Sequence, residues 1–170
     1  KSGKHKKPTS AQREVREKLK ALNSYLLTIA DVIDAGFKKR DKKHTAINAA
    51  LRYNYDHAFI VNEEQVEINY PAIVYSIGIV EPPESPVLSS SNGKIHISWY
   101  DMPQSMYCQY GDLGTVLLVN TKTKNDIGYR SICKRGDLQV SINVSFSVGS
   151  EYYCFMNFDA PDGKTQGKSI

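Results

Sequence analysis

The chain has 170 residues, 41% of them hydrophobic, with eleven Tyr, which suits a packed core and excludes a disordered polyelectrolyte. No apolar run approaches the ~20 residues that a membrane-spanning helix needs. The net charge of +4 is unevenly spread: residues 1–43 hold thirteen basic and five acidic residues, and residues 44–170 hold nine basic and thirteen acidic. A basic arm on a mildly acidic body is the expectation.

The basic lead-in contains Lys4, Lys6 and Lys7, and no secretory leader precedes it. Because the chain starts at Lys1, a processed leader or a missing upstream segment stays open, and so does the compartment. Pro8-Thr9-Ser10 reads as a helix start, with Thr9 or Ser10 as N-cap. Val15, Leu19, Leu22, Leu26, Ile29 and Ile33 follow at alternating steps of four and three, an apolar stripe along one face of a single long helix. Gly36 fits the C′ position that closes it. Lys38, Lys39, Arg40, Lys42 and Lys43 form a charged connector. Thr45 is the next N-cap, and Ile47, Ala50, Leu51, Asn54 and Ala58 share a face of a second helix. Two helices joined this closely pack antiparallel.

From Glu64 the period changes to two. Val66, Ile68 and Tyr70 alternate, residues 72–79 make a second β-prone run, and Pro71 between them marks an edge or bend. The proline-rich 81–86 stretch is extended. Thereafter the pattern is regularly β. Ser91-Asn92-Gly93 signals a hairpin turn, and Ile95, Ile97 and Trp99 alternate inward. Residues 115–120 suit an inner strand, 128–133 form the next, and Leu138, Val140, Ile142 and Val144 alternate cleanly. Residues 151–158 are aromatic-rich, 159–163 turn, and 164–170 are expected to close the sheet. The fold class is α+β: an N-terminal helical hairpin followed by an antiparallel immunoglobulin- or fibronectin-III-like β-sandwich. The expected segments are 1–62 (basic arm and hairpin), 63–80 (linking β segment) and 81–170 (sandwich).

Several stretches resemble an uncharacterised bacterial family common in Bacteroidota. They are residues 8–13 and Gly36-Phe37 around the first helix, residues 45–50 with Tyr53-Asn54, Ile68-Asn69-Tyr70, and Ser76-Ile77-Gly78. Gly93-Lys94-Ile95, Ser98-Trp99, Asp101, Tyr153, Phe155 and Asp162-Gly163-Lys164 continue the likeness. The resemblance implies a helical pair with a fibronectin- or immunoglobulin-like sandwich, and no functional residue to carry over. A Gly-rich segment usual in that family is missing before the basic stretch. The helix opening is also similar to that of phage-associated proteins with a helical pair and a fibronectin-like domain.

No catalytic or metal-ligating set emerges, and no cofactor is implied. His5, His44, His57 and His96 form no ligand pair, and neither GxSxG, GxxxxGK[ST] nor GxGxxG occurs. Cys108, Cys133 and Cys154 are an odd count without a CxxC and read as core thiols, with a single bridge between two of them left open. Asp159 and Asp162 lack the ligand spacing of a calcium loop. The expected role is non-catalytic: a structural or adaptor protein docking through its helical stripe onto another protein or a second copy. Nucleic-acid binding through Lys4, Lys6, Lys7, Lys38, Lys39, Arg40, Lys42 and Lys43 is the alternative, as is a virion or cell-surface structural component.

Overall fold

A computed structural model describes residues 7–38, 43–62, 65–122, 126–145 and 151–170. Thr9 caps α1 (Ser10–Thr28) in a reciprocal box: the Gln12 amide donates to Thr9 Oγ1 at 3.3 Å, and the Thr9 amide donates to Gln12 Oε1 at 3.1 Å. The expected single helix is two. It breaks at Ile29, whose ψ of 28° lies outside the helical range, and resumes as α2 (Ala30–Gly36). At the break, the Thr28 hydroxyl donates to the Tyr25 carbonyl at 2.7 Å, a side-chain bond that competes with the helical ladder.

Gly36 is not a left-handed C′ residue but the last residue of α2, and its glycine has a different cause. A Cβ there would overlap the Tyr75 carbonyl and sit 2.6 Å from Ser76 Cα. The missing side chain lets the 73–80 segment cross the helix end, where the Ile77 amide donates to the Gly36 carbonyl at 3.1 Å.

Thr45 caps α3 (Ala46–Asn54), its Oγ1 accepting from the Asn48 amide at 3.2 Å. The face expected from the sequence turns inward, with Ala50 and Asn54 buried and Ile47 and Leu51 half-buried, while Ala58, expected on the same helix, is buried beyond its end. Buried Asn54 holds the next segment in place: its Nδ2 donates to the Ala50 and Val74 carbonyls at 3.0 and 2.8 Å, and its Oδ1 accepts from the Val74 amide at 2.8 Å.

The linking segment departs from expectation. β2 (Gln65–Ile68) pairs with β1 (Phe59–Asn62), an unforeseen strand directly after α3. Pro71 lies in a 3₁₀ turn at Tyr70–Ala72, which takes Tyr70 out of the strand. Residues 73–79 form no strand, because no neighbouring strand offers a ladder. Their amides are met singly: Tyr75 donates to Ser169 Oγ at 3.1 Å and Ile79 to the Gln166 carbonyl at 2.9 Å.

Two three-stranded antiparallel sheets follow. β3 (Glu84–Ser91), β4 (Lys94–Tyr100) and β7 (Gln139–Asn143) run in the order β3-β4-β7. β5 (Leu113–Asn120), β6 (Ile127–Lys134) and β8 (Tyr152–Asp159) run in the order β6-β5-β8. The β3–β4 turn is the foreseen Asn92-Gly93 pair, with φ of 50° and 72°, a two-residue loop matched to the strand twist. Leu138 does not begin an inward alternation. It stands at φ 58° behind a 3₁₀ turn at Arg135–Asp137, and the alternation starts at Val140. Residues 164–170 also form no strand. They give one reciprocal backbone pair between Met156 and Ile170 and one bridge between Val80 and Gly167.

The layers are helices, sheet, sheet. Ile95, Ile97 and Trp99 meet Val116, Leu118 and Phe158 between the sheets. On the other face of the β6-β5-β8 sheet, Leu117, Val119 and Phe155 meet Leu22, Leu26, Ile29 and Ile33. β5 is therefore buried on both faces, which explains its unbroken apolar run.

Candidate docking face on the helices

The six residues of the apolar stripe divide into two groups. Leu22, Leu26, Ile29 and Ile33 are at most 1% exposed, packed against Ala46, Ala50 and Tyr75. Val15 and Leu19 stay 46% and 39% exposed. The division follows from length. α3 has nine residues, about 13 Å at 1.5 Å per residue, whereas α1 has nineteen, so the first turns of α1 extend past their cover. Leu19 borders a groove of about 450 Å³ whose walls include Leu51, Tyr55 and Asn48. Lys18, next to Leu19 in the chain, is bonded to Glu14 at 2.7 Å with its ammonium 5.9 Å from the Phe59 ring centre.

Of the eight basic residues expected to meet an anionic partner, three are among the described residues. Lys4, Lys6, Lys39, Arg40 and Lys42 lie outside them. Lys7 and Lys43 are exposed at separate places in the chain. Lys38 reaches across to the sandwich and donates to the Gly163 carbonyl at 2.7 Å. Its ammonium anchors the 159–163 turn to the helices.

The sequence pattern gives no sign of a charge pair buried among the described residues. Asp112 is 2% exposed, and so is Arg135. Arg135 Nε donates to Asp112 Oδ2 at 3.1 Å, and the same oxygen accepts from the Gln109 amide at 2.8 Å. The guanidinium also donates to the Pro82 and Glu81 carbonyls at 3.3 and 2.5 Å and lies 4.1 Å over the Phe158 ring centre. Trp99 Nε1 donates to the Arg135 carbonyl at 2.9 Å. This network ties the entry into β3 to the centre of the sandwich. The pairing of an acid and a base 23 positions apart leaves no periodic mark in a sequence.

The remaining polar candidates are held by hydrogen bonds to neighbouring groups. His96 sits between Ser91 Oγ at 3.0 Å and Ser141 Oγ at 2.8 Å. Asp159 accepts from Asn157 Nδ2 at 2.7 Å, and Asp162 accepts from the Lys164 amide at 2.9 Å. Burial raises the Asp159 pKa above the usual carboxylate range. No group of three or more His, Cys, Asp or Glu placed to hold a metal occurs among the described residues. No helix there is long and apolar enough to cross a membrane.

The three cysteines are free thiols. Burial pushes Cys133 up to about 11 and Cys154 up to about 12 from an ordinary 9.0. Burial also raises the Tyr25 and Tyr75 hydroxyls. The protonated forms belong to the native state, so their contribution is complete below pH 9.0 and is lost as pH rises through the folded values. Urea titrations are expected to show little change between about pH 7 and pH 8 and a progressive loss towards about pH 11. Native protein should react slowly with a thiol reagent, and unfolded protein fast. Flat stability across that range would contradict the burial of these groups.

No curated protein matches the sequence. A family model described as a family of unknown function (DUF6266) matches residues 2–170, nearly the whole chain, and the chain belongs to that family.

Proposed function

We propose that this chain is a non-catalytic structural or adaptor protein that docks onto a larger protein assembly through its helices and presents an immunoglobulin- or fibronectin-like β-sandwich. The observation that carries the docking reading is the uncovered head of the stripe. Val15 and Leu19 stand one turn apart on α1 and continue, without a break in spacing, a stripe that is otherwise buried. Exposed apolar side chains in line with a packed seam are suited to burial by a partner. The sandwich reading is supported by two face-to-face sheets in the orders β3-β4-β7 and β6-β5-β8, with Trp99 edge-on to Phe158 at 5.3 Å between them. The Bacteroidota source is proposed on sequence resemblance alone. A nucleic-acid role draws less support, since Lys38 already serves the Gly163 carbonyl.

The test separates docking from folding. Val15→Asp and Leu19→Asp replace exposed residues and are expected to change stability by no more than about 1 kcal/mol. Native mass spectrometry of wild type should show a dimer or a stable complex from source-cell extract, and both variants should lose it. A wild type that is monomeric and without partners would overturn the reading. So would variants that assemble as wild type does.

A further inference from the structure

The two sheets do not cover each other fully on the side where β3 and β8 lie. Both are end strands of their sheets, and residues of both line a groove of about 330 Å³. Leu88 pairs with Ile97 across the β3–β4 ladder, and directly paired residues share a face of the sheet. Ile97 is 3% exposed in the layer between the sheets, whereas Leu88, on the same face, is 54% exposed. Every residue of β3 is exposed, so its inner face lacks a strand opposite it.

The free edge of β8 carries the matching backbone. Met156 and Ile170 exchange both of their N–H···O bonds at 3.0 Å, so the backbone polar groups of Met156 point away from β5. Backbone direction alternates along a strand, so those of Cys154 point the same way. Among the described residues no strand lies beyond β8, and no turn or loop bonds the Cys154 amide or carbonyl. Ile170 makes one rung of a ladder beside β8, and the next rung, at Cys154, is unmade. Cys154, Met156 and Ile170 line the groove with Leu88 and Ile97, so the bare edge and the uncovered face border the same space.

A backbone N–H and C=O presented at strand spacing are both met by another extended backbone, whereas a helix bonds its own backbone groups within itself. The groove residues are uncharged, so the side chains that enter are apolar. We propose that this groove takes an extended segment of a partner protein as an added strand beside β8, in line with Ile170. Its backbone completes the rung at Cys154, and its alternate aliphatic side chains cover Leu88 and Ile97. A second copy is a poor donor, because the alternating runs around Ile95, Ile97 and Ile142 already lie in its own sheet with those side chains buried. The proposal does not rest on the Val15–Leu19 face and survives its failure.

The test follows amide hydrogen exchange of the full chain by NMR with a capped pentapeptide in which Val or Ile alternates with Thr. The control is the same peptide N-methylated at every second amide, made in both registers, which keeps the apolar side chains and removes the backbone donors. Without peptide the Cys154 amide should exchange faster than that of Phe155, which points the other way, towards Leu117. Saturating peptide should slow exchange at Cys154 about tenfold or more. At least one N-methylated register should bind about tenfold more weakly. Leu88→Asp changes an exposed residue, so it should melt as wild type does while weakening the peptide about tenfold. A peptide that fails to saturate by about 1 mM overturns the proposal. So do N-methylated peptides that bind as tightly in both registers, or a Leu88→Asp variant that binds as wild type does. A chain that dimerises without peptide and protects Cys154 in doing so would make a second copy the occupant and overturn it too.

Discussion

Asp112→Ala is expected to lower the unfolding free energy by about 3–5 kcal/mol, a large share of the roughly 5–15 kcal/mol that holds a domain together. The substitution removes few apolar contacts. Its effect comes from what it leaves behind: a guanidinium 2% exposed, whose Nε has lost its acceptor. The Gln109 amide loses the same oxygen. In the native fold the guanidinium lies against Phe158 and beneath Trp99, where water has little access to it. Adding Arg135→Met to Asp112→Ala should recover part of the loss, because the charge then disappears with its partner. The recovery stays incomplete, since the Glu81 and Pro82 carbonyls lose their donors. Urea denaturation of both single variants and the double variant gives the coupling energy. A loss below about 1 kcal/mol in Asp112→Ala would mean that the pair is not a determinant of stability.

Leu22→Asp should be at least as damaging. Leu22 is 0% exposed among Leu26, Ala46 and Ala50. Truncating such a leucine typically costs about 2–5 kcal/mol, and a carboxylate in its place adds desolvation with no cation to meet it. The variant is expected to be unfolded or to melt far below wild type. Lys20→Asp, two residues away on the exposed side of the same helix, should be nearly silent. Set beside Leu19→Asp, the pair locates the edge of the core within three positions of α1. A Leu22→Asp variant with an unchanged melting temperature would refute the helix-on-sheet packing.

Local signals were the legible ones. Thr9 and Thr45 cap as expected because capping depends on a side chain and an amide three residues on. Asn92-Gly93 turns as expected because both positions demand positive φ. The inward set Ile95, Ile97 and Trp99 follows from the two-residue period alone. Failures arose where one residue serves two purposes that look alike in sequence. Gly36 has the sequence signature of a left-handed cap, yet it makes room for Ser76. Residues 73–79 have strand composition but no strand beside them, and pairing is not a local property. The candidate site was half legible: the periodicity picks out Val15 and Leu19 as apolar, but only the length of α3 decides that they remain uncovered.

β5 makes the two apparent halves of this chain inseparable in inheritance. It gives Val116 and Leu118 to the inner layer and Leu117 and Val119 to the helical one. A sandwich transplanted without its helices would present Leu117, Val119 and Phe155 to water, each forgoing about 1.5–3 kcal/mol of burial. Helices transplanted alone would present Leu22, Leu26, Ile29 and Ile33 in the same way. Recombination that shuffles the halves is therefore selected against at the level of solubility, whatever each half binds. A lineage can change the exposed loops without disturbing either layer of this core, but it must pass on the helices and the sheets together.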